Sequence, residues 1–453
     1  MTSNTLADGL GTRKELPEKQ SQSRSTGKPQ WGSRAGFLMA AIGSAVGLGN
    51  LWRFPFQAGE NGGGAFVLIY IVCVVLLGFP VLIAELAIGR HKGLSPIGST
   101  REIAVDAGRS PNWQIAGWLG LLSGVIVLPN YAMLSGQIMA YSAMGFMGDL
   151  SDPTQTPLYG GAVSSLLWFT VFLVITTGIV LRGLKRGIEA ASVVLMPAFF
   201  FILAGLAAFA LYSGAASEAL TYLFSPRFDQ LTPAIVLAAL GQALFSLGVG
   251  AGLMITFGSF LSKDESIGSN ATVIAGADTV VALIAGLMIF PIVFAFGMDP
   301  AAGMGLIFGT LPSFFAQMTF GNLVGGLFFF LAFIAALTSS IAILMVARTI
   351  GIQQFGFSER NSTLFFALLT WAGGVGIVFI DGFGSWLDWL LGSVTMPLGA
   401  LILALIAGWV APRAVMRAEL AQTSDRFFAF WRGSIRYVVP LAIAAILLAG
   451  LSR

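Results

Sequence analysis

The sequence has very few of the residues that metal sites and many catalytic sites use. It contains one cysteine, Cys73, and one histidine, His91, among 453 residues. One cysteine excludes a disulfide within the chain, and the pair argues against a structural zinc site or a Cys/His nucleophile. No HExxH motif, Walker loop or dinucleotide-binding fingerprint occurs in a suitable context. The sequence therefore does not predict an enzyme.

Charged residues are also scarce. They make up 10% of the chain, whereas hydrophobic residues make up 56% and the mean hydropathy is +0.85. Soluble domains carry about 25% charged residues. The composition therefore predicts a multi-span membrane protein whose surroundings are the lipid bilayer. The formal net charge of +3 does not favour a nucleic-acid partner.

Apolar windows of about 20 residues mark membrane spans. The segment 300–322 is too rich in glycine and proline to be one. The polar residues 1–30 lack the apolar core of a signal peptide and are predicted to be a disordered tail before a transmembrane domain at 31–453. Eleven spans are predicted at about 36–57, 65–89, 113–147, 161–182, 189–213, 232–261, 268–297, 323–352, 361–380, 385–411 and 435–452.

The basic residues give this arrangement an orientation. With the N-terminus inside, all but Arg53, Arg227 and Arg453 of the 24 Lys and Arg residues fall in cytoplasmic segments. Basic residues are concentrated in the cytoplasmic loops of membrane proteins. The sequence therefore predicts a cell (inner) membrane protein with a cytoplasmic N-terminus and a C-terminus outside.

The first span is interrupted in its middle. The stretch Gly43-Ser-Ala-Val-Gly-Leu-Gly-Asn-Leu-Trp-Arg53 places three glycines, an amide and a charge at membrane depth. Irregular backbone in lipid persists only where it is buried in protein or lines a wet cavity, and a broken polar span is typical of secondary transporters. The alternative is that Gly47 and Gly49 only allow close helix packing.

A similar interruption recurs in the second half. Val46-Gly-Leu-Gly49 in span 1 is matched by Val249-Gly-Ala-Gly252 in span 6. Five spans separate equivalent positions, so the second copy crosses the membrane in the opposite sense, as in inverted repeats. The predicted fold is all-α, with repeats at about 36–213 and 232–411 and an extra helix at about 435–452.

These residues resemble the neurotransmitter:sodium symporters, in particular the LeuT-like bacterial members. The similarity extends from about Gln30 to the end of the chain. It implies a five-plus-five inverted repeat, spans 1 and 6 unwound at mid-membrane, and Na⁺-driven uptake of small amino acids by alternating access. The matching motifs are Trp31-Gly-Ser-Arg34, Gly43 to Pro55, Glu60-Asn-Gly-Gly-Gly-Ala-Phe66, Gly241-Gln-Ala-Leu-Phe-Ser-Leu-Gly248 and Leu337-Thr-Ser-Ser340.

The resemblance implies a substrate site at the two interruptions. Free amides of an interrupted helix favour a carboxylate, and a glycine at position 47, where monoamine-transporting relatives have Asp, implies a substrate with its own carboxylate. Tyr131 is expected to donate to that carboxylate, although a buried tyrosine bonded to a helix carbonyl explains it equally well. The predicted substrate residues are Ala45, Gly47, Leu48, Gly49, Val127, Tyr131, Phe245, Ser246, Gly248, Ala251, Ser339 and Ile343.

Two sodium sites are implied in the same way. One resembles a set formed by Ala45, Asn50, Ser246 and Asp278, and the other a set formed by Gly43, Val46, Ala335, Thr338 and Ser339. A Thr-Ser pair in a span also bonds the preceding turn's carbonyls without any ion.

Asp278 is the most informative single residue, because a carboxylate inside a span is costly and seldom idle. Chloride-dependent relatives balance the first sodium with an anion, and Tyr70, Gln242 and Ser246 retain much of that pocket. Asp278 supplies a negative charge itself. We therefore predict chloride-independent transport, with Asp278 a sodium ligand that is open to protonation in the return step.

Gates and water paths are predicted from charge and proline. Arg53 and Asp388 form a water-linked outer pair. On the inside, Lys28 matches the family's basic partner, but Gln353 stands at the acidic position, so Trp31 is expected to close the path by packing. The Gly187 and Pro197 pair predicts either a water path to the second sodium or an ordinary kink.

Side-chain specificity follows from the apolar positions. Ala251 replaces a bulkier Phe of relatives, which widens the site and favours a neutral, hydrophobic or aromatic L-amino acid. Two other classes also need a polar midplane: a channel, which would not accumulate substrate, and a receptor of this fold, which would bind without transport.

Overall fold

A computed structural model describes residues 30–148, 150, 161–300, 311–315, 318 and 320–451. All regular structure among these residues is helical. Apart from Gln30, the predicted tail at 1–30 lies outside them, and so does Lys28. The main helices are α1 (Arg34–Ala45), α2 (Gly49–Glu60), α3 (Gly64–Lys92), α4 (Pro96–Asp106), α5 (Pro111–Met147), α6 (Ala162–Leu181), α7 (Leu184–Tyr212), α8 (Ala216–Phe224), α9 (Pro233–Ser246), α10 (Leu253–Ser259), α11 (Ile267–Ala295), α12 (Leu311–Phe315), α13 (Gly321–Phe355), α14 (Glu359–Phe379), α15 (Phe383–Val410), α16 (Arg413–Glu419) and α17 (Asp425–Gly450).

In the described part of the chain, nine of these helices are long and apolar enough to cross a membrane. The bent pair α1 and α2, which meet at 48°, makes a tenth span if the two are counted together. The predicted span at 232–261 is divided between α9 and α10, and each is too short to cross alone. The count of eleven therefore stays a prediction, because it requires α9 and α10 to form one interrupted span.

The helices differ in burial, because some lie at the centre of the protein and others at its periphery. In α13, 83% of the most apolar window is buried inside the protein, and this helix packs most extensively against α5. In α17 the corresponding fraction is 22%. Phe201, Leu441 and Leu448 point outward and are exposed, which suits a surface solvated by lipid rather than by water. The polar interruptions lie against the buried central helices.

Serine side chains define the starts of several helices. The Ser33 hydroxyl accepts a hydrogen bond from the Gly36 amide at the start of α1. Such caps satisfy amides that have no partner within the helix. The residues Ser266, Ser358 and Ser424 act in the same way at α11, α14 and α17.

A charged cluster joins the ends of α3 and α16 outside the spans. The carboxylate of Glu419 is 6% exposed and contacts Arg90 Nε at 2.8 Å, His91 Nδ1 at 3.5 Å and Lys263 Nζ at 2.5 Å. Burial alone would raise the pKa of Glu419, but hydrogen bonds from these three residues outweigh it and lower the pKa to about 2. Glu419 is therefore ionised at neutral pH and anchors α16 to α3.

We expect Glu419→Gln to destabilise the protein at pH 7, by on the order of 3 kcal/mol. A folded-state pKa below the unfolded value contributes stability above about pH 4.3 and loses it as pH falls toward 2. The difference in melting temperature between wild type and variant should therefore shrink over that window. Glu102→Gln, whose ion pair is with its neighbour Arg101, is the control, and an equal loss in both variants would contradict the assignment.

Candidate sodium and substrate site

The first interruption lies between α1 and α2. Helix α1 ends at Ala45 and α2 begins at Gly49. A Cβ atom built on Gly47 would lie 2.8 Å from both Ser339 Oγ and Tyr131 Oη. Gly47 therefore fits both interpretations of the sequence, a broken span and close packing. The helix is interrupted here, and side chains of α5 and α13 approach its backbone closely.

The second interruption lies between α9 and α10, from Leu247 to Gly252. The φ angles of Gly248, Gly250 and Gly252 are 62°, 94° and 72°, a region that residues with a Cβ rarely adopt. A Cβ on Gly250 would also lie 2.6 Å from the Met396 carbonyl. Glycine is required at Gly250 for both reasons.

One cavity opens between the two interruptions. Of the predicted substrate residues, only Leu48 does not line it. The eleven that do are Ala45, Gly47, Gly49, Val127, Tyr131, Phe245, Ser246, Gly248, Ala251, Ser339 and Ile343. Residues that are distant in sequence thus share one predominantly apolar space with peptide groups at its edge.

Backbone amides at the first interruption face hydroxyl and amide side chains. The Leu48 amide donates to Tyr131 Oη at 3.3 Å, and the Gly47 amide donates to Asn50 Oδ1 at 3.2 Å. Tyr131 Oη therefore accepts a hydrogen bond from a backbone amide of the first interruption. An anion at this point would meet the Tyr131 hydroxyl together with main-chain donors.

Asp278, Asn50 and Ser246 form one buried polar cluster. Asn50 Nδ2 donates to Asp278 Oδ1 at 2.8 Å and to Ser246 Oγ at 3.1 Å, and Ser246 Oγ donates to Asp278 Oδ2 at 2.7 Å. Gln242 Nε2 donates to the Gly49 carbonyl at 3.0 Å. Three of the four predicted ligands of the first sodium are thus in direct contact.

Among the described residues, no cationic side chain lies beside the carboxylate of Asp278. Asp278 is 0% exposed, and none of the ion pairs among the described residues includes it. A buried carboxylate without a counter-charge is strongly disfavoured. The oxygen-rich cluster therefore fits a bound monovalent cation, for which hard oxygen ligands are suited.

The second predicted sodium set lies between α1 and α13. Thr338 Oγ1 donates to the Ala335 carbonyl at 3.1 Å, and Ser339 Oγ donates to the Gly43 carbonyl at 3.4 Å. A Cβ on Gly43 would lie 3.1 Å from Thr338 Cβ, so glycine allows the approach. The Thr338 contact is the preceding-turn bond of the alternative reading, yet its oxygen lone pairs stay available to a cation. Val46, the remaining member, is buried at the end of α1.

Sequence reasoning missed Glu85. This α3 carboxylate is 0% exposed and accepts from the amides of Gly250 at 2.6 Å and Met254 at 3.1 Å. It satisfies main-chain donors that the second interruption releases. A lone glutamate within an apolar run was the available signal, since such residues are seldom idle.

Two serines of the cavity were also missed. Ser44 and Ser123 line it, and their buried hydroxyl oxygens have no hydrogen-bond partner among the described residues. Small polar residues in apolar spans carry little sequence signal. Their position adds polar character to the wall of the cavity.

The predicted outer pair is not in direct contact. Arg53 stacks over the Phe245 ring, with Cζ 4.1 Å from its centroid. Asp388 accepts from Asn130 Nδ2 at 2.8 Å. Arg53 also lines a second cavity of about 430 Å³ beside α9 and α17. The two charges remain candidates for a water-linked pair, and Phe245 connects Arg53 to the substrate cavity.

Trp31, the predicted inner plug, packs against Phe257 of α10, and its closing of the inner path stays a prediction. Its ring lies 5.2 Å from that of Phe257, and its Nε1 donates to the Phe257 carbonyl at 3.2 Å. Gln353 Oε1 accepts from the Ser95 amide at 2.7 Å. Gln353 thus joins α13 to the start of α4.

The Gly187 and Pro197 pair lies on one helix, α7. Gly187 belongs to a π-helical turn at Leu184–Glu189, whereas Pro197 lies within a continuous helix at Ala190–Ser213. The departure from regular α-helix is therefore near the glycine, and the water path stays a prediction.

A multi-span membrane protein with two breaks between helices beside a cavity, and with a buried carboxylate that has no basic partner among the described residues, has the architecture of a secondary transporter. Known proteins give the same class. The sequence profile described as "Sodium:neurotransmitter symporter family" matches residues 28–155 and 160–453. The chain belongs to this family of sodium-coupled transporters, and the predictions of an all-helical LeuT-like fold and of no enzyme are confirmed.

Two sequence relatives and one solved structure are similar to this chain over most of its length. The chain is 36% identical to the uncharacterized sodium-dependent transporter YhdH of Bacillus subtilis, over 92% of this chain and 97% of that one. It is 26% identical to the sodium-dependent nutrient amino acid transporter 1 of Drosophila mojavensis, over 82% and 67%. The crystal structure of MhsT in complex with L-phenylalanine matches with a TM-score of 0.84 and 35% identity, over 94% and 100%.

Proposed function

We propose that this protein imports a neutral, hydrophobic or aromatic L-amino acid together with Na⁺ by alternating access, without chloride. It lies in the cell membrane with its N-terminus in the cytoplasm and its C-terminus outside. Two sodium ions bind, one at Ala45, Asn50, Ser246 and Asp278, and the other between α1 and α13. The 36–213 and 232–411 segments are the two inverted repeats.

The buried carboxylate of Asp278 is the observation that carries this proposal. It lies beside Asn50 and Ser246 and has no basic partner in the part of the chain that the structure describes, and Ser246 also lines the substrate cavity. A cation bound there would neutralise the carboxylate and order the wall of the cavity. Sodium and substrate binding are then thermodynamically coupled, so that each increases the affinity of the other.

The substrate class follows from the cavity. Val127, Phe245 and Ile343 give it an apolar wall, and Ala251 leaves space on the α9–α10 side. Amides beside Gly47 favour a carboxylate. The L-phenylalanine bound to MhsT and the amino acid named for the Drosophila relative support the same class.

Purified protein in liposomes tests the proposal. We expect labelled L-phenylalanine to accumulate when an inward Na⁺ gradient is imposed and not when K⁺ replaces Na⁺, with saturable kinetics. Scintillation-proximity binding of a labelled amino-acid panel identifies the preferred substrate. Binding without accumulation indicates a receptor, and substrate-independent unitary currents indicate a channel. Neither outcome is compatible with symport.

Chloride removal gives a separate prediction. Because Asp278 supplies the negative charge beside the first sodium site, we expect uptake to be unchanged when gluconate replaces chloride on both sides. The measurement is the initial rate of uptake at saturating Na⁺. Loss of uptake in gluconate contradicts the chloride-independent mechanism and leaves the sodium coupling intact.

Ala251→Phe tests the width of the cavity. The larger ring fills space that a bulky substrate needs, so we expect the affinity for L-phenylalanine to fall about tenfold or more, corresponding to about 1.4 kcal/mol. Binding of L-alanine should be retained. Ala208→Phe, at an exposed position on α7 that does not line the cavity, is the control. Equal loss of both amino acids in Ala251→Phe contradicts the prediction.

A further inference from the structure

The carboxylate of Glu189 lies at the base of α1. Glu189 ends the π-helical turn at the start of α7 and is 9% exposed. Its Oε2 accepts from the Gly32 amide at 2.7 Å, and its Oε1 accepts from the Ser33 hydroxyl at 3.3 Å. None of the ion pairs among the described residues includes Glu189. Its negative charge therefore faces the N-terminus of α1, where the helix dipole favours an anion.

Gly36 makes room for this carboxylate. A Cβ on Gly36 would lie 2.0 Å from Glu189 Oε1 and 2.4 Å from its Cδ. No alanine could occupy this position without moving the carboxylate. Two features therefore make this contact possible. One is the carboxylate on α7, and the other is a glycine one turn inside α1 that leaves room for it.

Glu189 begins a continuous face of α7 against α1. Seven residues further along, Met196 Sδ lies 2.9 Å from the position of a Cβ on Gly43, whose carbonyl belongs to the second sodium set. Ser192 lies between them and is 3% exposed. A change at the base of α1 is therefore linked along one helix face to the proposed sodium site.

Two other contacts hold the same segment from different helices. Trp31 Nε1 donates to the Phe257 carbonyl on α10, and Arg34 Nε donates to Asn270 Oδ1 on α11 at 3.0 Å. Glu189 makes the corresponding contact from α7. Of these three residues' contacts, the one made by Glu189 comes from a π-helical turn rather than from regular α-helix.

We propose that Glu189 is a positioning residue that keeps the cytoplasmic end of α1 closed while the outer side is open. It provides the acidic half of an inner gate in a chain where the resemblance places Gln353, which is bonded to Ser95, at the family's acidic position. The acid's partner is the amide and hydroxyl at the start of α1 rather than a basic side chain. This inference rests on the proposed alternating-access transport.

Cysteine accessibility tests the gate. In a Cys73→Ala background, Ser192→Cys reports on the space between α7 and the base of α1. We expect Glu189→Gln to increase the rate of modification by a membrane-impermeant thiol reagent from the cytoplasmic side about tenfold, the size expected when a hydrogen bond to a charged group is weakened. Glu102→Gln, a carboxylate paired with its neighbour Arg101, should leave the rate unchanged.

A double-mutant comparison shows whether the effect passes through the carboxylate. Gly36→Ala should increase the rate in the Glu189 background and have little further effect in Glu189→Ala, because the clash is with the Glu189 side chain. Unchanged accessibility in Glu189→Gln, or an equal effect of Gly36→Ala in both backgrounds, overturns the proposal. The reporter is read without amino acid, so a wrong substrate assignment does not affect this result, and Na⁺-dependent uptake tests the proposed function separately.

Discussion

Asp278→Asn is expected to abolish Na⁺-coupled uptake and to raise the sodium concentration needed for half-maximal substrate binding at least about tenfold. The substitution keeps the shape of the side chain and removes the only formal charge of the Asn50, Ser246 and Asp278 cluster. Hydrogen bonds and ion contacts to a charged group contribute about 1.5–3 kcal/mol, and about 1.4 kcal/mol is a tenfold change in binding. The measurement is a sodium titration of L-phenylalanine binding.

Thermal unfolding separates this effect from misfolding. A ligand that binds only the folded state raises the melting temperature, so wild type should be stabilised by Na⁺ relative to K⁺. In Asp278→Asn we expect this difference to disappear, while the melting temperature in K⁺ stays equal or rises because a buried uncompensated charge has been removed. Asp425→Asn, at an exposed position on α17, is the control. An undiminished sodium shift in Asp278→Asn contradicts the assignment of this residue as a ligand.

The breaks between helices could be predicted because glycines within an apolar run disfavour a continuous helix. Gly47 and Gly49 weaken a helix where lipid requires one, and Gly250 recurs at the equivalent place. Tyr131 and Ser339 could be assigned to the same site through the resemblance alone. No property of the sequence itself places these two residues within reach of Gly47, since they lie on different helices.

Contacts that depend on tertiary packing were not predictable. Gln353 and Ser95 are 258 residues apart, and nothing in either local sequence indicates the other. The contact of the Arg53 guanidinium with the Phe245 ring was not predicted, and the water-linked pair with Asp388 stays a prediction. Glu85 did carry a sequence signal, a charge in a span, but its partners are main-chain amides, which sequence patterns do not show.

Gly47→Asp is expected to change the class of substrate. The position of a Cβ on Gly47 lies 2.8 Å from Tyr131 Oη and Ser339 Oγ, so a side chain there enters the space proposed for the substrate carboxylate. Two carboxylates placed together repel each other by several kcal/mol. We therefore expect the affinity for L-phenylalanine to fall by about a hundredfold or more, which corresponds to about 2.8 kcal/mol.

The decarboxylated amine is the informative second ligand. Phenethylamine lacks a carboxylate, and an aspartate at position 47 would supply one to the Leu48 amide and Tyr131 hydroxyl. Phenethylamine should therefore bind Gly47→Asp more tightly than it binds wild type. Gly47→Ala provides the steric control, since it adds the same Cβ without the charge and should weaken the amino acid without favouring the amine. If Gly47→Asp and Gly47→Ala lose both ligands to the same extent, crowding alone explains the effect and the carboxylate lies elsewhere in the cavity.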